Sequence, residues 1–336
     1  MKTLKDTILE KLSLDNISFD TLSNKLKKSY KLVFNPKTNR YDCDSDIHVR
    51  NNLVEDGHFI CEFGVVKGNF DCSNRITLES LEGAPREVGG DFLCKKCENL
   101  KSLEGAPKKV GGDFNCYKCE KLESLEGVPE YVGGHFVCSE CNALKSLEGA
   151  PKEIGIGFYC TKCENLESLE GAPEQVWESF DCCECKSLKT LKGAPKKISG
   201  HFICNTCKML TSLEGAPREV GESFNCNFCE GLETLAGAPE KVGGNFWCEF
   251  CNKLKNLEGA PKEISIDFVC AHCDKLESLE GTVEKVGRDF DCSYCNALEA
   301  LEGGPMEVSR DFICNNCENL KDYDISNTKI GGKFYK

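Results

Sequence analysis

The fold is decided by Leu78-Glu79-Ser80-Leu81-Glu82-Gly83-Ala84-Pro85-Arg86-Glu87-Val88-Gly89-Gly90-Asp91-Phe92-Leu93-Cys94-Lys95-Lys96-Cys97, because the chain repeats it with almost no drift. Phenylalanine recurs every 22 residues from Phe70 to Phe334 without a gap. Proline keeps the same step from Pro85 to Pro261, gives way to Val283, and returns at Pro305. A fixed period of about 20–50 residues marks a stacked-repeat architecture. It overrides the several globular domains that a length of 336 residues would otherwise suggest.

One repeat shows the local chemistry. Gly111-Gly112 reads as a tight bend with backbone freedom, and Asp113-Phe114-Asn115-Cys116 alternates like a short strand. Phe114 and Cys116 then share the inner face, with Asp113, Asn115 and Tyr117 on the outer one. Cys119, Leu122 and Leu125 are spaced to return inward, Gly127-Val128-Pro129 breaks any helix, and Val132 points in again. The predicted class is therefore mainly β: a solenoid of 22-residue coils with about twelve full rungs over residues 70–336. At about 4.8 Å per strand it would be ~55–60 Å long. A single rung cannot offset its own ordering entropy, so stability resides between neighbours.

The N-terminal part stands outside the repeat. Residues 1–40 read as a helical cap and linker. Leu4, Ile8 and Leu12 mark one amphipathic helix, and Leu22, Leu26 and Tyr30 a second with Ser18 or Asp20 as N-cap. The competing reading is a docking handle built on Lys25, Lys27, Lys28 and Lys31. Asn35-Pro36-Lys37-Thr38-Asn39 reads as a turn or linker. Residues 41–69 read as an irregular lead-in with strand pieces at Tyr41 to Cys43, Ile47 to Val49 and Phe59 to Cys61.

The run Phe-x-Cys-x-x-Cys-x-x-Leu resembles the core of cysteine-containing leucine-rich repeats, with one extra residue before Leu. The surrounding Ser-Leu-Glu-Gly-Ala-Pro…Val-Gly-Gly-x-Phe-x-Cys wording is similar to leucine-rich-repeat-like proteins of tailed phages and some bacteria. The likeness spans most of the chain and implies a solenoid. For function it implies, at most, an intracellular host factor as the target. This chain departs from the pattern by placing a second Cys where many such repeats carry Asn.

Eleven C-x-x-C pairs run from Cys94/Cys97 to Cys314/Cys317, while Cys72 is followed by Arg75 and Cys43, Cys61 and Cys183 are extras. In an unknown sequence such pairs read as zinc ligands, and two rungs could supply four sulfurs. An odd number of pairs cannot be shared two by two. Successive Zn(Cys)4 centres about 10 Å apart would also repel by roughly 6–7 kcal/mol at an effective dielectric near 20. The other readings are a ladder of reduced, buried thiols, with the second Cys hydrogen-bonding the backbone as Asn would, and disulfides.

A net charge of −13 argues against nucleic acid or an anionic membrane as partner. With no apolar run of membrane-spanning length and no secretory leader in Met1–Asp6, a cytoplasmic protein is expected. The histidines (His48, His58, His135, His201, His272) are scattered, and Glu82, Glu104, Glu126, Glu148 and Glu170 merely repeat one turn position. No nucleotide-binding or hydrolase motif appears, so the sequence reads as non-enzymatic. Variation between rungs is more informative. Phe228, Trp247, Phe250, His272 and Tyr294 fall near one sheet face over consecutive rungs, with Tyr159 and Tyr117 on the same outer face farther toward the N-terminus. Grouped exposed aromatics mark an interaction surface, and the plain alternative is cross-strand packing. Lys95, Lys96, Lys118, Glu140, Lys162 and Glu184 give the N-terminal half a charged patch instead. The expected partner is a protein, with bound zinc or redox chemistry on the thiol pairs as the alternative.

Overall fold

The computed structural model describes residues 22–336 and shows a mainly β solenoid of about 13 turns with 22-residue coils. Each regular coil contributes two strands of two residues. Lys109–Val110 and its equivalents join a 15-stranded sheet, and Phe114–Asn115 and its equivalents join a 14-stranded sheet. Pairing between coils is parallel, with residue n opposite residue n+22: Val110 faces Val88 and Val132, and Phe114 faces Phe92 and Phe136. Sequence reading found the Phe strand but took the Val position only as an inward turn. A two-residue strand is too short to show alternation, so the second sheet emerges from stacking.

The interior is built from columns. In the coil of Phe114 the side chains of Val110, Phe114, Cys116, Cys119, Leu122 and Leu125 are all fully buried. Burying one large apolar side chain is worth roughly 1.5–3 kcal/mol, and here every coil supplies part of the cover for the next. The phenylalanine rings from Phe114 to Phe246 stack within 19° of parallel. From Phe246 to Phe290 they meet edge-on instead, at 87° and 86°. Both arrangements suit the ring quadrupole.

The glycines divide the work differently from the sequence expectation. Positive φ falls on the glycine of the Leu-Glu-Gly turn, as at Gly105 (φ +88°), and not on the Gly-Gly pairs. A Cβ on Gly105 would lie 2.6 Å from the Leu81 backbone. Gly111 accommodates a close approach: a Cβ there would lie 2.3 Å from the Gly89 carbonyl as the backbone stands. Trp177, Ser199, Ser265 and Ser309 occupy the same position in other coils, so the backbone there gives way to a side chain.

Stacking begins before Phe70, which accounts for one turn more than the twelve expected. Arg40–Cys43 already pairs in parallel with Phe63–Val66, through a bulge between Tyr41 and Cys43, and Ile47–His48 pairs with Phe70–Asp71. The Asn35–Asn39 turn closes an antiparallel hairpin that covers this edge of the larger sheet, with Val33–Asn35 on Arg40–Cys43. A second small hairpin, Val54–Glu55 with His58–Phe59, turns on Asp56-Gly57, both at positive φ as such a tight turn requires. The helix Asn24–Tyr30 starts one turn later than expected, with Ser23 as N-cap accepting from the Leu26 N–H at 3.3 Å. It is tied down by the Tyr30 hydroxyl donating to Asn52 and the Cys43 thiol donating to the Tyr30 carbonyl. The proposed helix on Leu4, Ile8 and Leu12, with Ser18 and Asp20, lies outside the described residues.

Candidate functional site

The site follows from one backbone position. The residue before the second cysteine of each pair sits in the left-handed region in every coil: Lys96, Lys118, Glu140, Lys162, Glu184, Thr206, Phe228, Phe250, His272, Tyr294 and Asn316 all have φ between 56° and 61°. Its N–H donates to the next coil, as Phe228 N–H does to the Glu249 carbonyl and His272 N–H to the Ser293 carbonyl, both at 2.8 Å. Equal φ and equal anchoring start these side chains from the same corner of each coil. They form a column along one corner.

The chemistry of that column changes halfway. Toward the N-terminus it is charged and pairs along itself, with Lys118 3.9 Å from Glu140 and Lys162 3.6 Å from Glu184. From Phe228 it is aromatic. Phe228 stacks on Phe250 at 4.6 Å and 7°, Phe250 on His272 at 4.4 Å and 5°, and His272 on Tyr294 at 4.3 Å and 6°. The end rings are the open ones: Phe228 is 43% and Tyr294 44% exposed, while Phe250 and His272 are half-buried between neighbours.

The other residues singled out in the sequence fall elsewhere. Trp247 is half-buried on the adjacent strand, between Asn225 and Val269, and joins none of these ring stacks. Tyr159 packs edge-on against His135, with ring centroids 5.4 Å apart. That contact sits where an inter-coil ladder lapses. The Asp91 and Asp113 carboxylates accept from the N–H one coil on, at 2.8 and 2.7 Å, but the buried Nδ1 of His135 has no partner beside Gly157. Burial pushes the Tyr159 phenol up. Tyr117 is tied to Glu140, whose hydrogen bond raises its phenol above the ordinary value. Sequence reading missed Tyr131, 50% exposed on the outer face of the Val sheet, and Trp177, 60% exposed in the bend that follows its strand. Trp177 stands where other coils carry Gly or Ser, a signal visible once the repeats are aligned in register.

The outer face of the Val sheet is charged and self-compensating, with Lys197–Glu219 at 2.7 Å, Lys241–Glu263 at 2.9 Å and Lys285–Glu307 at 3.1 Å. A shallow groove of about 770 Å³ lies beside the Val54–Phe59 hairpin, lined among others by Asn51, Asp56, Asn74, Arg75 and Glu79. Its guanidinium is already bonded to the Asn51 amide oxygen and the Ser73 carbonyl. The described histidines outside the stack include His48 beside Asp71 and His201 beside Glu222.

All 26 cysteines are free, and every one except the half-buried Cys183 is buried. The second thiol of each pair donates to the carbonyl of the first cysteine one coil earlier, as Cys119 does to Cys94 at 3.2 Å and Cys185 to Cys160 at 3.1 Å. Burial pushes thiols such as Cys138, Cys160 and Cys248 well above the ordinary range. Among the described residues no three His, Cys, Asp or Glu side chains converge as a metal-binding group. No described helix is long and apolar enough to cross a membrane. Comparison of the chain with protein-family models, with curated proteins and with solved structures returned no match.

Proposed function

We propose that this protein is a non-enzymatic interaction scaffold whose docking ridge for a protein partner is the ring stack Phe228–Phe250–His272–Tyr294. The observation that carries the reading is the register of those rings: four aromatic side chains in a column that is polar or charged in every other coil, stacked within 7° of parallel and open to solvent at both ends. The stacking pre-orders the rings, so a partner that covers them forfeits little side-chain entropy. Aromatic residues in such patches dominate binding energy at protein interfaces. The net charge of −13 makes nucleic acid and anionic membranes unfavourable partners. The resemblance of the repeat wording to leucine-rich-repeat-like proteins of tailed phages and some bacteria favours an intracellular protein target.

What supports this reading over metal or redox chemistry is that the paired thiols are buried, that burial holds thiols such as Cys138, Cys160 and Cys248 well above the ordinary range, and that the second of each pair donates to a backbone carbonyl. The test uses the column's own polar residue. Asn316 and Asn74 already occupy the left-handed position, so the quadruple variant Phe228→Asn, Phe250→Asn, His272→Asn, Tyr294→Asn keeps the backbone. Proteins retained by the wild type from its source cell should be lost by this variant while its circular dichroism is unchanged. An identical retained set from both proteins would remove the ridge assignment.

A further inference from the structure

We propose that the gap at Thr206, where the ring stack ends, is a slot for a planar cation, the guanidinium of an arginine on the partner. The inference rests on the ridge reading and names the chemistry of its N-terminal end. One face of Phe228 is covered by Phe250; the other looks toward the preceding coil, where the same column position holds Thr206. Glu184, Thr206 and Phe228 have φ of 58°, 61° and 59°, so their side chains start from the same corner of each coil. Threonine is too short to reach alongside the ring. The column therefore opens to two rungs, about 10 Å at ~4.8 Å per strand, with the Phe228 ring as one wall and Glu184 as the other.

Each wall suits the same ligand. A cation over a phenyl face within about 6 Å of its centroid is attracted by the ring quadrupole. The Glu184 carboxylate, 44% exposed, shares its charge with Lys162 at 3.6 Å on its far side and presents its remaining acceptor capacity to the gap. Asn205, the neighbour of Thr206 in the same coil, is half-buried with a side-chain amide that bonds no described residue, so a polar acceptor is available next to the slot. The nearby cation Lys208 is held by Glu230 at 2.7 Å and does not fill it. A flat guanidinium continues the stack and donates in its own plane, whereas an ammonium is a hydrated point charge that does neither. The opposite end of the stack lacks this chemistry: Tyr294 is equally open but faces Asn316, with no carboxylate in the column.

The experiment titrates the intact protein with N-acetyl-arginine methylamide and with its citrulline and lysine counterparts, reading NMR shifts of the Thr206 methyl and the Phe228 ring. The arginine probe should move both signals, with the citrulline probe weaker by roughly fivefold, the size of one exposed cation–π contact, and the lysine probe weaker than arginine because its ammonium neither stacks flat nor donates in a plane. Glu184→Gln should weaken the arginine probe by roughly threefold, as for an exposed ion pair. Thr206→Phe, which extends the stack by a residue this backbone position already accepts at Phe228 and Phe250, should fill the slot and abolish the Phe228 shift with the fold intact. Equal shifts from citrulline or lysine, no shift with arginine, or undiminished binding to Thr206→Phe would overturn the slot. A partner lost by the quadruple asparagine variant but kept by Thr206→Phe would discard the slot and keep the ridge.

Discussion

The thiol of Cys119 donates to the carbonyl of Cys94, one coil earlier, at 3.2 Å. The same bond recurs from Cys97 to Cys317 at 3.1–3.4 Å. It satisfies a carbonyl at the strand end that would otherwise be buried unpaired. Cys119→Ala should destabilise the protein by ~1–3 kcal/mol, the penalty of orphaning a buried acceptor. Cys119→Ser, which keeps a donor, should lose less. Urea denaturation under reducing conditions measures both, and equal losses would remove the bond's structural role.

Stability should fall steeply at alkaline pH. Burial holds Cys138, Cys160 and many other thiols above their ordinary value near 8.5. Burial pushes the Cys61 thiol up to about 12; at Cys116 a hydrogen bond from Cys141 pulls downward, but burial and the neighbouring thiols Cys138 and Cys119 still raise it to about 11. A folded pKa above the unfolded one means the unfolded chain releases its thiol protons first as pH rises. The contribution is complete below about pH 8.5 and is lost as pH climbs through the folded values. Thermal melts in reductant at pH 7 and pH 10 should therefore differ by far more than for a cysteine-poor protein. A flat profile across this window would contradict the buried ladder.

Thiol accessibility offers an independent check. Cys183 is the only cysteine not buried, and burial together with Asp181 raises its thiol. Since the thiolate is the reactive form, an alkylating reagent at pH 7.5 should modify the native protein slowly and at Cys183 first. Peptide mapping after partial labelling would show this. Early labelling across the paired cysteines would mean that the coils open.

Gly105→Ala should destabilise strongly, by roughly 2 kcal/mol or more, because it joins a positive φ to a backbone clash. Gly111→Ser should be tolerated far better, because other coils hold serine there. Comparing the two denaturation midpoints separates a conformational requirement from a spacing preference.

Thr206→Gly should stabilise by about 1 kcal/mol. Threonine is β-branched and strained at φ 61°, and glycine removes that strain. Lys118→Gly at φ 58° should gain less, since lysine lacks the branch at Cβ. A larger gain at Lys118, read from thermal midpoints, would show that strain at this corner is not set by side-chain branching.

The inward columns were legible from the sequence because each is one residue type at one step: Phe114, Cys116, Cys119, Leu122 and Leu125 recur 22 residues on with little change. So was the grouping of Phe228, Phe250, His272 and Tyr294, since a period lets residues be assigned to columns before any coordinates exist. The periodicity alone thus determined a solenoid and which residues share a column. Tertiary structure decided that the Val position builds a second sheet, that the chain is already coiling at Tyr41, and that Trp247 stands apart from the ring stack. The reason is geometric. A repeat fixes which residues are equivalent, but the direction a side chain takes depends on backbone dihedrals, and the left-handed φ that aligns the four rings exists only once each N–H is held by the next coil.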